Sequence, residues 1–225
     1  MLRNGLCLVV DMAVRAVGDD EITRHRKSLL LGTLREDVLY VPLFGVTEYP
    51  SFSHFYRPGL PGGYLPLLWP GPRFQVDRLY ARAIASHRRG HVARSFVALG
   101  RALHVLTDLS IPAHANRVVH ERDPFEWFIE GNAASLSSLP VPFVDACQRP
   151  SDHVEAMARS AQPHEADATT TPLGRLLKRF GLRKALRTRV VAEQARTLVP
   201  IAAAHAAALL RRFASETRER EGAHA

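Results

Sequence analysis

The chain has 225 residues, 46% of them apolar, and a formal net charge of +8 carried almost entirely by arginine. That length supports one sizeable core, and that apolar content excludes wholesale disorder. No apolar run approaches the roughly eighteen residues of a transmembrane helix, and "GLCLVV" before Asp11 is shorter than a usual signal-peptide core and has no small-residue cleavage site close behind it.

Residues 6 to 17 are expected to form a short amphipathic helix, and "EITRHRKSLLLGTL" (21 to 34) a second. From Pro42 to Pro72 seven prolines, with glycines and aromatics among them, predict a long irregular loop. Phe52, Phe55, Tyr56, Tyr64 and Trp69 argue that this loop is ordered, and long loops in compact domains usually carry function. Trp69 and Tyr64 are read either as lining a substrate cleft or as packing on the bundle. A helical pattern returns from Phe74 to Asp108, broken near Gly90, with Phe96, Leu99, Leu103 and Leu106 on one face. His87 and His91 flank "RRG" and read as a polar helix end. Pro112 then forbids continuation and pushes Ile111 out of the α region. Asp123 as N-cap and Pro124 at the first helical position open a further helix at "DPFEWFIE".

Residues 134 to 172 are rich in Ser, Pro and Thr around a short helix near 151 to 160. Two helices, 173 to 188 and 190 to 220, close the chain. The basic stretch "RLLKRFGLRKALRTR" (175 to 189) reads as a solvated helix face, although a basic protein also attracts phosphates and anionic membranes. Cys7 and Cys147 read as two buried thiols rather than a disulfide. No strand pattern or internal repeat is seen. The expected fold is all-α: a single-domain multi-helix bundle spanning residues 1–225.

The chemistry is concentrated in "HVLTDLSIPAH" (104 to 114). His104 and Asp108 lie four residues apart, so their side chains share one helix face, and imidazole plus carboxylate at that spacing can grip zinc. Alone, the pair reads better as a core histidine with a capping aspartate. Pro112 and His114 tip the balance, since the turn frees His114 to point at a neighbouring ion.

This stretch resembles the zinc-dependent phospholipase C and P1/S1 nuclease superfamily, whose core pattern runs H-Y-x-[GT]-D-x-x-x-P-x-H. Here it reads His104, Val105, Leu106, Thr107, Asp108, Pro112 and His114, with Val105 in place of the tyrosine. "SHFYRPG" is similar to the phospholipase segment that supplies a histidine from the long loop, here His54. "GTLRED" offers Asp37 for an upstream aspartate. The resemblance implies one zinc held by Asp37, His54, His104 and Asp108, and a second held by His114, His120 and Glu126. Asp37 would double as the catalytic base. The pair Phe125–Glu126 matches the phospholipase branch, whereas the nuclease branch carries W-D. His120 and Glu126 are six apart, where the family spaces them H-x-x-x-E. Glu130 reads as a surface residue or one supporting the ligands.

The sequence also departs from the family at its third zinc. That ion takes a terminal tryptophan's amine and carbonyl, a nearby histidine and the core aspartate. Here Leu6 or its neighbour stands where the histidine belongs, no tryptophan precedes Trp69, and His25 reads as a surface histidine among Arg24, Arg26 and Lys27. Either part of the first helix is missing or two metals bind. Two zinc ions are expected, with a third left open.

The implied function is phospholipase C-type hydrolysis by metal-activated water, giving diacylglycerol and a phosphorylated head group. The alternatives are a nuclease or other phosphodiesterase and, from another class, a zinc-stabilised bundle without turnover. The implied partners are a phospholipid head group and transient membrane contact, with nucleic acid only under the alternative, and a monomeric state. Localisation stays unassigned, although the resembling family is mostly secreted.

Overall fold

A computed structural model describes residues 1–36, 54–59, 70–120, 123–145 and 149–221. Its regular elements, among the described residues, are all helical. They run α1 (Arg3–Val17), α2 (Asp20–Arg24), α3 (Arg26–Arg35), α4 (Pro72–Arg88), α5 (Val92–Asp108), α6 (Pro112–Ala115), α7 (Pro124–Leu136), α8 (Pro150–Ala161), a 3₁₀ turn (Ala168–Thr170), α9 (Pro172–Arg179) and α10 (Thr188–Glu221). No described helix is long and apolar enough to cross a membrane.

Helix α5 is the axis of the bundle, because its large apolar residues recur at helical spacing on the face turned to the core. Phe96, Leu99, Leu103 and Leu106 are fully buried. Helices α3 and α4 pack along it, α1 lies on α10 and α7, and α8 fits between α4 and α10. Helix α10 is alanine-rich on its buried side, with Ala202, Ala203, Ala206 and Ala207 in the core. Pro200 inside it lacks an N–H and so removes one rung of the helical ladder.

The boundaries differ from the sequence expectations at three places. The first helix begins at Arg3, three residues early. The second is two helices: Asp19 caps α2 by accepting from Ile22 N at 2.9 Å, and His25 leaves helical geometry with its ring stacked on Phe96 at 4.6 Å. The helix expected over 173 to 188 stops at Arg179, where Gly181 takes a positive φ of 70°. Gly90, with φ 75°, ends α4 as expected. His87 faces Glu21 at 3.4 Å rather than only ending a helix. Cys7 is a free thiol, only half-buried, and burial raises its pKa. Cys147 lies outside the described residues, as do Tyr64 and Trp69.

Two histidines that the motif does not use meet inside the bundle. His153 of α8 and His205 of α10 approach Nδ1 to Nδ1 at 3.2 Å, ring edge to face. One nitrogen must donate and the other accept, so at least one ring is neutral. Burial pushes the pKa of each down to about 4, and for His153 the neighbouring His205, Arg211 and Arg212 add to this against Asp152. The folded values lie below the ordinary value of 6.5, so the unfolded chain binds more protons between them. Stability is therefore full above about pH 6.5 and falls as the pH drops towards 4, by a few kcal/mol at about 1.4 kcal/mol per pKa unit. Urea unfolding from pH 7 to pH 4.5 is expected to show this loss, with a shallower slope in His205→Gln. Identical slopes for the two proteins would refute the assignment.

Candidate metal centre

The centre is built where α5 ends. Ile111 is extended (φ −81°, ψ 118°), and Pro112 starts a single new turn, α6. His104 and Asp108 therefore stay on the last turn of α5 while His114 comes back from α6. His104 is fully buried, and its Nδ1 donates to the Thr33 carbonyl at 2.7 Å. That bond needs a proton on Nδ1 and sets the ring so that Nε2 faces Asp108 Oδ2 at 3.2 Å. His54, also buried, places Nδ1 2.9 Å from the same oxygen. The ligand atoms of His54, His104 and Asp108 lie within 4.8 Å of one another, a group that could hold a metal ion.

A second set adjoins the first. His114 Nδ1 lies 3.7 Å from Asp108 Oδ2, and the His114 and His120 rings are 5.0 Å apart. His120 Nδ1 lies 3.7 Å from Glu126 Oε2. The irregular spacing of His120 and Glu126 is thus no bar to their meeting, since His120 reaches in from the loop while Asp123 caps α7 through Phe125 N at 2.8 Å.

Phe55 and Tyr56 hold the loop histidine in place. The Phe55 ring lies tilted against His114 at 4.6 Å and reaches His120 at 6.2 Å. Tyr56 N donates to the His114 carbonyl at 3.1 Å, and its hydroxyl to Glu155. The "HFY" stretch is therefore a buried histidine followed by its own clamp.

The Met1 amine enters this site. It lies 2.7 Å from Asp108 Oδ1 and 2.9 Å from Glu126 Oε1, and it is fully buried. The family's third zinc likewise joins a terminal amine to the core aspartate, although there the terminal residue is tryptophan. Glu130, one turn beyond Glu126, explains how α1 arrives there. Helix α1 has no capping side chain and no acidic residue in its first turn, and Glu130 Oε2 accepts from Asn4 N at 2.7 Å and Gly5 N at 3.3 Å. Glu130 is accordingly the cap of a distant helix. Leu6 is buried in the apolar core. Asp37 lies outside the described residues.

The electrostatics suit a cation. Burial opposes ionisation of Asp108, but the terminal ammonium and His104 outweigh it and hold the carboxyl well below its usual pKa. Burial also drives His114 well below its usual value, helped by His120, the ammonium and His54 and opposed by Asp108. Neutral imidazole beside ionised carboxylate is the donor state that zinc requires. His54 Nε2, His114 Nδ1 and His120 Nε2 are buried without a hydrogen-bond partner among the described residues. Orphaned buried nitrogens are costly, and these three belong to rings that each place Nδ1 beside Asp108 or Glu126, which suits a metal centre.

Comparison of the structure with solved structures places it beside two clostridial toxins. "Alpha Toxin from Clostridium Absonum" superimposes with a TM-score of 0.68 at 15% identity, covering 96% of this chain and 66% of that one. The alpha-toxin of an avian strain of Clostridium perfringens gives 0.67 at 16% identity, covering 95% and 63%. The fold is that of the clostridial alpha-toxins. The chain spans somewhat less than two thirds of their length. No family model matches it, and no curated protein matches it by sequence. The all-α architecture expected from the sequence is thus matched by a known fold over nearly the whole chain.

Proposed function

We propose that the chain is a zinc-dependent phosphodiester hydrolase of phospholipase C type, releasing diacylglycerol and a phosphorylated head group. The observation that carries this reading is the grouping of His54, His104 and Asp108, with His114, His120 and Glu126 adjoining it and three buried nitrogens without a hydrogen-bond partner among the described residues. The shared alpha-toxin fold and the phospholipase-like "SHFY" and Phe125–Glu126 support the lipid branch over the nuclease branch.

Asp37, His54, His104 and Asp108 would hold one ion, and His114, His120 and Glu126 another. Zinc, when bound, lowers the pKa of coordinated water towards neutrality and offsets charge on phosphoryl oxygens. The chain's own part is orientation. The Thr33 carbonyl orients His104, Phe55 braces His114, and Asp37 would orient the attacking water as general base. Leu6, buried and apolar, offers nothing to a third ion, so two are proposed.

Protein purified without chelators should contain two zinc ions per chain by elemental analysis. Chelation should abolish turnover of a soluble phosphocholine diester, and added zinc should restore it. That diester should be cleaved faster than single-stranded DNA; the opposite order would transfer the assignment to the nuclease branch. A folded chain with no zinc and no diester turnover would leave a structural bundle in place of an enzyme.

A further inference from the structure

Helix α9 and the chain after it have a surface that the metal centre does not explain. Leu173, Leu176 and Phe180 stand at positions i, i+3 and i+7, one helical stripe, and are 64%, 51% and 68% exposed. Leu182, just past the glycine that ends the helix, is 74% exposed. Around them stand Arg175, Lys178, Arg179, Arg183, Lys184, Arg187 and Arg189, and no acidic residue occurs between Asp167 and Glu193. Soluble domains rarely leave several large apolar side chains exposed together.

This segment is not a loose strand of chain. The Gly174 backbone lies against the 3₁₀ turn so closely that a Cβ there would sit 1.7 Å from the Ala168 carbonyl oxygen. Thr171 caps α9 by accepting from Gly174 N at 2.9 Å. Asp167, buried, accepts from Thr169 N and, at 3.1 Å, from Leu186 N, so one carboxylate ties both ends of the segment. Leu186 packs back on the core. The apolar stripe is thereby held outward.

We propose that this face docks on an anionic phospholipid surface. Cationic side chains interleaved with Leu and Phe on a short helix match the chemistry of a charged lipid interface, where the apolar groups enter the acyl boundary and the cations meet headgroups. The cations around the exposed apolar side chains give the face a single sign. The location also suits the proposed reaction. Arg175, Lys178 and Arg179 line a cleft with Pro124, the first residue of α7, which carries Glu126. Trp127, 56% exposed, follows Pro124 by one turn. The inference rests on the phospholipase reading for its role, but its geometry stands without it.

The test is co-sedimentation of the zinc-loaded chain with vesicles of phosphatidylcholine alone or mixed with phosphatidylglycerol. Binding should be at least about tenfold stronger with the anionic lipid and should weaken with salt. Leu176→Ser/Phe180→Ser and Lys178→Glu/Arg179→Glu should each lower the partition coefficient by about tenfold or more. All four positions are exposed, so melting temperature and turnover of a soluble diester should not change. Equal sedimentation of parent and variants, or binding to an acidic protein but to neither kind of vesicle, would overturn the proposal. Absent diester turnover with this vesicle pattern intact would defeat the catalytic reading alone. Normal turnover without vesicle binding would defeat the docking face alone.

Discussion

Asp108→Asn is expected to lose zinc and phosphodiesterase turnover together, each by at least about 100-fold, since even residues that only support a metal ligand cost 10–100-fold when removed. The carboxylate is shared on every side. Oδ1 holds the Met1 amine at 2.7 Å, and Oδ2 faces His54 at 2.9 Å, His104 at 3.2 Å and His114 at 3.7 Å. Asparagine keeps the shape but loses the charge, and its NH₂ must point at either an ammonium or an imidazole. The metal-free fold should suffer too, because removing one partner of a buried ion pair costs about 3–5 kcal/mol. Asp108 ionises below its ordinary pKa in the folded state, so its contribution exists above that ordinary value and disappears as the pH falls through the folded one. Zinc content, diester turnover and urea midpoint measured on one preparation check the three effects. A variant with full zinc and full turnover would remove Asp108 from the centre.

Local chemistry explains what could be read in the sequence. The helix that carries His104 and Asp108, the turn enforced by Pro112, and the Asp123–Pro124 start of α7 each depend on residues only a few positions apart. Those signals survive without knowledge of the fold. The break at His25 has no breaker residue of its own, and the stacking of its ring on Phe96 of another helix is a contact that periodicity does not carry. The early end of α9 was missed because an apolar and basic pattern continues past Gly181, and periodicity weighed more than the glycine.

The approach of Met1 to Asp108 spans a separation of 107 residues, and its sequence counterpart is the resemblance's third zinc, which joins a terminal amine to the core aspartate. A weaker signal did exist. Helix α1 lacks any N-terminal cap of its own, so its first N–H groups require a partner from elsewhere, and Glu130 is that partner. Phe55 was read as part of a motif but not as a brace for His114 and His120. Its role depends on where the loop returns to the bundle.

The second large effect lies outside the ligand set. Gly100→Ala should unfold the chain at least about 3 kcal/mol more easily, at or above the usual range for overpacking, because the obstacle is backbone. A Cβ at Gly100 would lie 2.1 Å from the Leu29 carbonyl oxygen and 3.0 Å from Thr33 N. Gly32 is its counterpart, with a Cβ position 2.0 Å from the Val97 oxygen, so α3 and α5 touch through two glycines. Neither helix can yield by turning a side chain. The contact also sets the centre. Thr33 Oγ1 lies 2.9 Å from the Leu29 carbonyl and 3.0 Å from the Gly100 carbonyl, and the Thr33 carbonyl is the one that orients His104. Separating the helices should therefore weaken zinc binding by about 10–100-fold even in molecules that stay folded. For a chain of this size the melting temperature should fall by about 6–12 °C. Gly131→Ala is the control: it sits on α7 with open space around its Cβ position. There the helix-propensity gain of up to about 1 kcal/mol should appear instead. If Gly100→Ala melts with the parent and keeps its zinc, α3 does not press on α5 as described. The positioning of His104 by Thr33 would then lose its structural basis.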